Sequence, residues 1–221
     1  MLPAPVDGAA PGYFGVYPAF VTDLIDPDSL GRIEVRFPFL GQDGDRNVRA
    51  WATLCTPYAD ADSGLEILPD VGSQVVVAFE AGNLRRPYIV GCAWNGKAAL
   101  PQDPETPNNI RLLRSRANSR LEFDDDDAAP KITLRTRNGH EVVIDEGTGG
   151  VVTIQHAQGC VVRLTPTSVE VQSTLEVTVH ATIVEVTAPI STFSGIVKAQ
   201  TVVADSFVIS PAYTPGVGNI W

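Results

Sequence analysis

Apolar and polar residues alternate in short runs through the first half of the chain. In "GRIEVRFPFLG", Ile33, Val35 and Phe37 alternate with Arg32, Glu34 and Arg36, the period of a strand buried on one face. "VRAWATLCTP" repeats the pattern at Val48, Ala50, Ala52 and Leu54. Further on, "SQVVVAFEAGN" and "RRPYIVGCAWNG" predict a hairpin, because Gly82 and Asn83 tolerate positive φ at the bend. Four or five such strands across residues 13–100 predict a small all-β barrel of the oligonucleotide/oligosaccharide-binding (OB) type.

The second half has a different rhythm. Ile132-x-Leu134, Val142-x-Ile144, Val152-x-Ile154 and Val162-x-Leu164 follow one another at steps of ten residues. Val169-x-Val171, Val177-x-Val179 and Val184-x-Val186 then come at steps of seven, eight and seven. Each pair puts two side chains on one face of a short strand, and turn sequences such as "RNGH", "EGTGG" and "AQG" separate them. Repeated short strands without helical period predict a solenoid or β-helix whose neighbouring repeats share a core. A step of seven to ten residues gives one strand per wall, too little for a single chain to enclose a core. Three chains wound about a common axis supply three walls, so the repeat length points to an intertwined homotrimer; a flat meander has similar spacing. The expected organisation is an extension at 1–12, the barrel at 13–100, a Pro-rich linker at 101–110, a β-helical needle at 111–209 and a tip segment at 210–221.

Charge changes the picture of partners. Sixteen Lys+Arg against 26 Asp+Glu give a formal net charge of −10, which opposes binding to nucleic-acid phosphates. No apolar run approaches the ~20 residues of a membrane span, and "MLPAPVDGAAPG" has neither the basic nor the apolar region of a signal peptide. Cys55, Cys92 and Cys160 are odd in number and far apart, and read as reduced, buried small hydrophobes. Arg111, Arg114, Arg116, Arg120, Lys131, Arg135 and Arg137 form a basic zone where the two halves meet. From Asn138 onward only Arg163 and Lys198 stand against seven Asp/Glu, an acidic stretch that keeps a β-rich rod soluble.

Candidate chemistry is sparse. "FDDDD" at residues 123–127 lacks the spacing and turn glycine of a calcium loop and reads as a solvated turn. His140, His156 and His180 are far apart with no ligand at metal spacing. No Gly-x-Ser-x-Gly elbow, His-Glu-x-x-His motif or phosphate loop is found in the sequence. Glu170, Glu176 and Glu185 could supply the acids of a glycan-cleaving solenoid, but a solvated outer face accounts for them far better. No enzyme activity, metal or cofactor is expected. The competing class is a glycan-binding adhesin, but the needle region offers only Phe193, Phe207, Tyr213 and Trp221 as stacking platforms.

"DSLGRIEVRFPFLG", "LPDVGSQVVVAFEAGNLRRPYIVGCAWNG" and "NNIRLLRSRANSRLEFDDDD…KITLRTRNGHEVVIDE" resemble the central spike proteins of contractile injection systems, including phage baseplate assembly protein V and the valine-glycine-repeat spikes of type VI secretion. The resemblance covers roughly Val21 to Gln155, and the ending "YTPGVGNIW" is similar to endings of phage spikes. It implies a homotrimer with an OB collar on a hub and a triple-stranded needle that sheath contraction drives through the target envelope. It also implies assembly in the producing cell's cytoplasm and residence in a virion baseplate or injection particle. The collar motif then comprises Gly31, Arg36, Phe37, Pro38, Gly41, Pro69, Gly72, Phe79, Gly82, Arg86, Pro87, Gly91, Asn95 and Gly96, with Arg85–Arg86 at a rigid corner paired to Glu80 or a neighbour. Tyr213, Pro215 and Trp221 are the candidates for docking a small tip protein of the PAAR-repeat type. The chain departs from larger family members in three ways: the OB module starts at once, so the hub is expected to be a separate protein; no lysozyme-like domain intervenes; and no His-x-His motif lies near the end.

Overall fold

Period-two alternation is what builds the first domain. The computed structural model describes residues 12–40, 47–147, 149–206 and 208–210. Five strands close a barrel in the order β1 (Val16–Asp23), β2 (Ile33–Arg36), β3 (Arg49–Leu54), β7 (Pro87–Cys92) and β6 (Gln74–Phe79). A small hairpin, β4 (Ala59–Asp60) and β5 (Ser63–Gly64), projects between β3 and β6. β6 returns to pair with β1, and β3 lies parallel to β7, so the barrel has no free edge.

The alternating positions face inward. Ala19, Val21, Ile33, Val35, Phe37, Ala52, Val75, Val77, Phe79 and Ile89 form the core, all at most 7% exposed. Each fully buried Val, Ile or Phe contributes roughly 1.5–3 kcal/mol, and a closed barrel has just room for these side chains. Tyr13, Tyr17, Phe37, Phe39 and Phe79 cluster with ring centroids 4.9 to 6.1 Å apart. Val48, Ala50 and Leu54 pack against the core half-buried. The cysteines depart from expectation: Cys55 and Cys92 are exposed and Cys160 half-buried. Cys55 follows the end of β3 and Cys92 is the last residue of β7, so neither lies deep within a strand of the barrel.

The second sheet is a seven-stranded antiparallel meander. It runs through β8 (Ile110–Arg114), β9 (Arg120–Asp124), β10 (Lys131–Arg135), β11 (Glu141–Asp145), β12 (Val151–Gln155), β13 (Val161–Thr165) and β14 (Ser168–Gln172). Every strand pairs with its sequence neighbours, so the ten-residue repeat is one strand plus one turn. Residues 1–172 form one compact unit and 173–221 another. In the second unit no strand occurs among the described residues, and they are exposed throughout except for Ser173. Val177, Val179, Val184 and Val186 are 59%, 67%, 64% and 71% exposed there. Gly41, Tyr213, Pro215 and Trp221 lie outside the described residues.

Candidate functional site

The seven-stranded sheet sorts its side chains by chemistry. Cross-strand partners join Leu113 to Leu121, Phe123 to Ile132, Leu121 to Leu134, Leu134 to Val142 and Ile132 to Ile144. The ladder continues from Val142 to Ile154, Ile144 to Val152, Val152 to Leu164, Ile154 to Val162, Val162 to Val171 and Leu164 to Val169. All thirteen sit on one face because the register keeps odd and even positions in phase. The opposite face carries Glu122, Thr133, Arg163 and Glu170 along its midline, with Val143 and Thr153 between them. Ten of the fourteen predicted needle-core residues, Ile132 through Val171, are therefore on the apolar face; the four beyond Gln172 are not in strands.

Within one chain this face has no cover. Leu134, Ile154 and Val169 are 52%, 49% and 72% exposed. Buried core residues in the barrel are at most 7% exposed, so the contrast is one of architecture and not of residue type. A contiguous exposed apolar strip spanning seven strands is the kind of patch that marks an interaction surface.

The lateral edges are charged with opposite sign. Turns at 115–119, 136–140 and 156–160 lie on one edge, since alternate hairpins of a meander turn on the same side. They share one geometry: the first N–H donates to the last carbonyl at 2.8 to 2.9 Å, and the fourth N–H to the first carbonyl at 2.9 to 3.0 Å. Asn118, Gly139 and Gly159 take positive φ at the fourth position, as a type I turn with a left-handed closing residue requires. Arg114, Arg116, Arg120, Arg135 and Arg137 cluster there. Arg116 reaches Asp70 of the barrel at 3.1 Å and Arg120 pairs with Glu122 at 3.2 Å, but Arg120 Nε is buried without an acceptor. The opposite edge bears Asp124, Asp125, Asp126, Asp127, Asp145 and Glu146. Lys131 and Arg111 offset only Asp124 and Asp125, each at 3.7 Å. The single basic zone expected from the sequence is thus divided: five arginines on one edge, Arg111 and Lys131 on the other.

Successive turns on the basic edge also bring His140 against His156, the rings tilted by 51° with centroids 4.4 Å apart. The sequence reading kept these histidines separate; their twofold strand period, two hairpin turns on one edge, is the signal that joins them. Among the described residues, no group of three or more His, Cys, Asp or Glu is arranged to hold a metal ion.

Two family models match in succession. The model described as the type VI secretion system/phage-baseplate injector OB domain matches residues 17–94, the closed barrel. The one described as the phage baseplate V C-terminal trimerisation domain matches residues 110–188, which begin at the first strand of the open sheet. The chain belongs to the phage baseplate V and type VI spike family.

Relatives of this family are similar at modest identity. The type VI secretion system spike protein VgrG5 of Pseudomonas aeruginosa is 30% identical over 48% of this chain and 14% of its own length. VgrG4b of the same species is 30% identical over 63% of this chain and 17% of its own length. VgrG3 of Vibrio cholerae is 24% identical over 53% of this chain and 12% of its own length. The chain thus spans well under a fifth of the length of these relatives.

The collar residues of the spike-family motif occupy corners and core of the barrel. Phe37 and Phe79 are core; Pro69, Gly82 and Pro87 are buried, and Pro38 is half-buried. Gly31, Gly72, Gly82 and Gly96 take positive φ, and Gly91 lies near the register shift between β6 and β7. Asn95 Oδ1 accepts the Lys97 N–H at 3.0 Å, and Arg36 lies 5.6 Å from the Phe20 ring. At the bend, Glu80–Gly82 form a single 3-10 turn, and Glu80 N–H donates to Arg86 O at 3.0 Å. Asn83 Oδ1 accepts the Arg85 N–H, while Arg86 Nη1 meets Glu80 Oε1 at 3.0 Å. Both arginines serve a hydrogen-bonded corner. Elsewhere Arg32 grips Asp26 at 2.7 Å and Asp28 at 2.6 Å, and this guanidinium holds the 3%-exposed Asp26 carboxyl well below the usual carboxylate range.

Proposed function

We propose that this chain is the central spike of a contractile injection system or phage tail, working as a homotrimer. The carrying observation is the uncovered apolar face of the seven-stranded sheet. Three copies that turn this face to a common axis bury it, and each sheet then forms one wall of a shaft. The match to a trimerisation domain supports the same count.

The segment after Gln172 fits this reading. Its Val-x-Val pairs keep the strand pattern, yet among the described residues they pair with no strand. In the trimer those partners come from the other two chains, and residues 173–209 complete an intertwined needle. Backbone groups that find no ladder within one chain are then satisfied between chains. The barrel is the collar: it seats the trimer on a trimeric hub protein and carries the first strand of the shaft. A small PAAR-type protein caps the tip through Tyr213, Pro215 and Trp221. The rod transmits force through the target envelope, so its role is mechanical stiffness and no bond is made or broken.

Native mass and heat-dependent mobility in SDS test the proposal. The expected result is a trimer of three 23.6 kDa chains that enters an SDS gel intact until heated. A monomer at micromolar concentration that migrates as a single chain without heating would overturn it.

A further inference from the structure

The two lateral edges of the sheet carry opposite charge, and a ring of copies must bring unlike edges together. In a cyclic assembly each contact is heterologous: one side of a subunit meets the other side of the next. When three sheets turn their apolar faces to one axis, the strands stack along that axis and the turn-bearing edges meet at the corners. Resting on the trimer proposed above, we infer that the basic edge of each copy docks on the acidic edge of its neighbour, so that ion pairing sets the pairing of walls and speeds assembly.

The charges available for this are those the single chain leaves over. The side chains of Arg135 and Arg137 are exposed and form no ion pair or hydrogen bond among the described residues, nor do those of Asp127 and Glu146 on the far edge. Arg120 Nε, on the basic edge, lacks an acceptor although buried. Intrachain pairing is short-range and incomplete because the two edges are separated by the length of a strand. The occupant is therefore a second copy of this chain, which presents the complementary edge with its acidic turns one strand, about 4.8 Å, above and below the basic turns along the axis.

Charge reversal on the full chain tests this, with assembly followed by native mass after dilution from denaturant. Three variants are compared with the parent: R135E/R137E on the basic edge, D127K/E146K on the acidic edge, and the four substitutions combined. Each single-edge variant is expected to assemble roughly tenfold or more slowly at low salt, the scale of electrostatic steering. The combined variant, in which the four reversed side chains again face one another with opposite charge, is expected to return close to the parent rate. D127K/E146K is the sharpest arm, because it moves the chain from −10 toward neutrality. General repulsion between acidic chains predicts faster assembly of that variant, whereas edge pairing predicts slower assembly. A parent trimer whose D127K/E146K variant assembles as fast or faster would overturn the edge pairing alone. So would a combined variant as slow as either single-edge variant. A parent that stays monomeric would overturn the trimer and the edge pairing with it.

Discussion

Ile154→Asp places a charge in the middle of the apolar ladder, and its consequence separates an assembled wall from an isolated sheet. Ile154 is 49% exposed in one chain, with Val142 and Val162 as its cross-strand partners. If the sheet worked alone, replacing a half-exposed side chain would forfeit about 1 kcal/mol of apolar burial. In the trimer, the other half of each isoleucine is covered too, about 1 kcal/mol more per chain. Three carboxylates would also be drawn to one height on a dry axis, each costing several kcal/mol of desolvation before protonation relieves part of it. The sum is on the order of 10 kcal/mol or more per trimer. Thr153→Asp is the control, since Thr153 faces the other way and lies opposite Arg163. Native mass at several concentrations, together with SDS resistance, reads the outcome. Ile154→Asp is expected to shift the chain to monomer or to raise the dissociation concentration at least about a thousandfold (about 8 kcal/mol per trimer, because a trimer's dissociation constant scales with the square of concentration), while Thr153→Asp remains trimeric. Equal behaviour of the two variants would refute the inward orientation of the ladder.

Other outcomes follow from the collar and the shaft. Gly82→Ala is expected to destabilise the barrel by roughly 1–3 kcal/mol in denaturant unfolding, since φ is +78° and a Cβ would come within 3.1 Å of the Gly12 and Tyr13 backbone. Arg86→Ala removes an exposed pair with Glu80 and is expected to cost under about 1 kcal/mol, leaving trimer mass unchanged. Asp26→Asn is expected to lower the melting temperature near pH 7, with the gap from the parent closing as acid is added. The Asp26 carboxyl is depressed by Arg32, so its contribution is complete above the unfolded value of ~3.9. That contribution is lost as pH falls toward the lower folded value; a gap that widened in acid would contradict it. Limited proteolysis is expected to spare residues 173–209 in the assembled parent and to cut them rapidly in Ile154→Asp.

Much of this was legible in the sequence because burial on one face imposes period two. Ile33, Val35 and Phe37 showed the barrel wall, and Gly82 at φ +78° marked the bend as expected, whereas its companion with positive φ is Ala81 (+49°) and not Asn83 (−86°). The ten-residue repeat showed the ladder up to Val171. The β4–β5 hairpin was not legible, because "ADADSG" carries no β-branched or large apolar residue and its strands are only two residues each. The split of basic residues between edges was hidden as well. Arg114 and Lys131 are neighbours in a linear reading, and only the reversal of direction at each turn sends them to opposite sides. Among the described residues after Gln172 the strand pattern occurs without strand structure; in the proposed trimer their hydrogen-bond partners come from other copies.

The nearest-neighbour pairing of the meander also makes the shaft a ruler. Each strand adds about 4.8 Å along the stacking direction, and removing one strand with its turn would reverse every strand beyond it, sending basic turns to the acidic side. Removing or inserting a whole hairpin, about twenty residues, leaves direction, face and edge intact. The length of such a spike can therefore change only in steps of about 10 Å, and lineages that lengthen or shorten it are expected to do so one hairpin at a time.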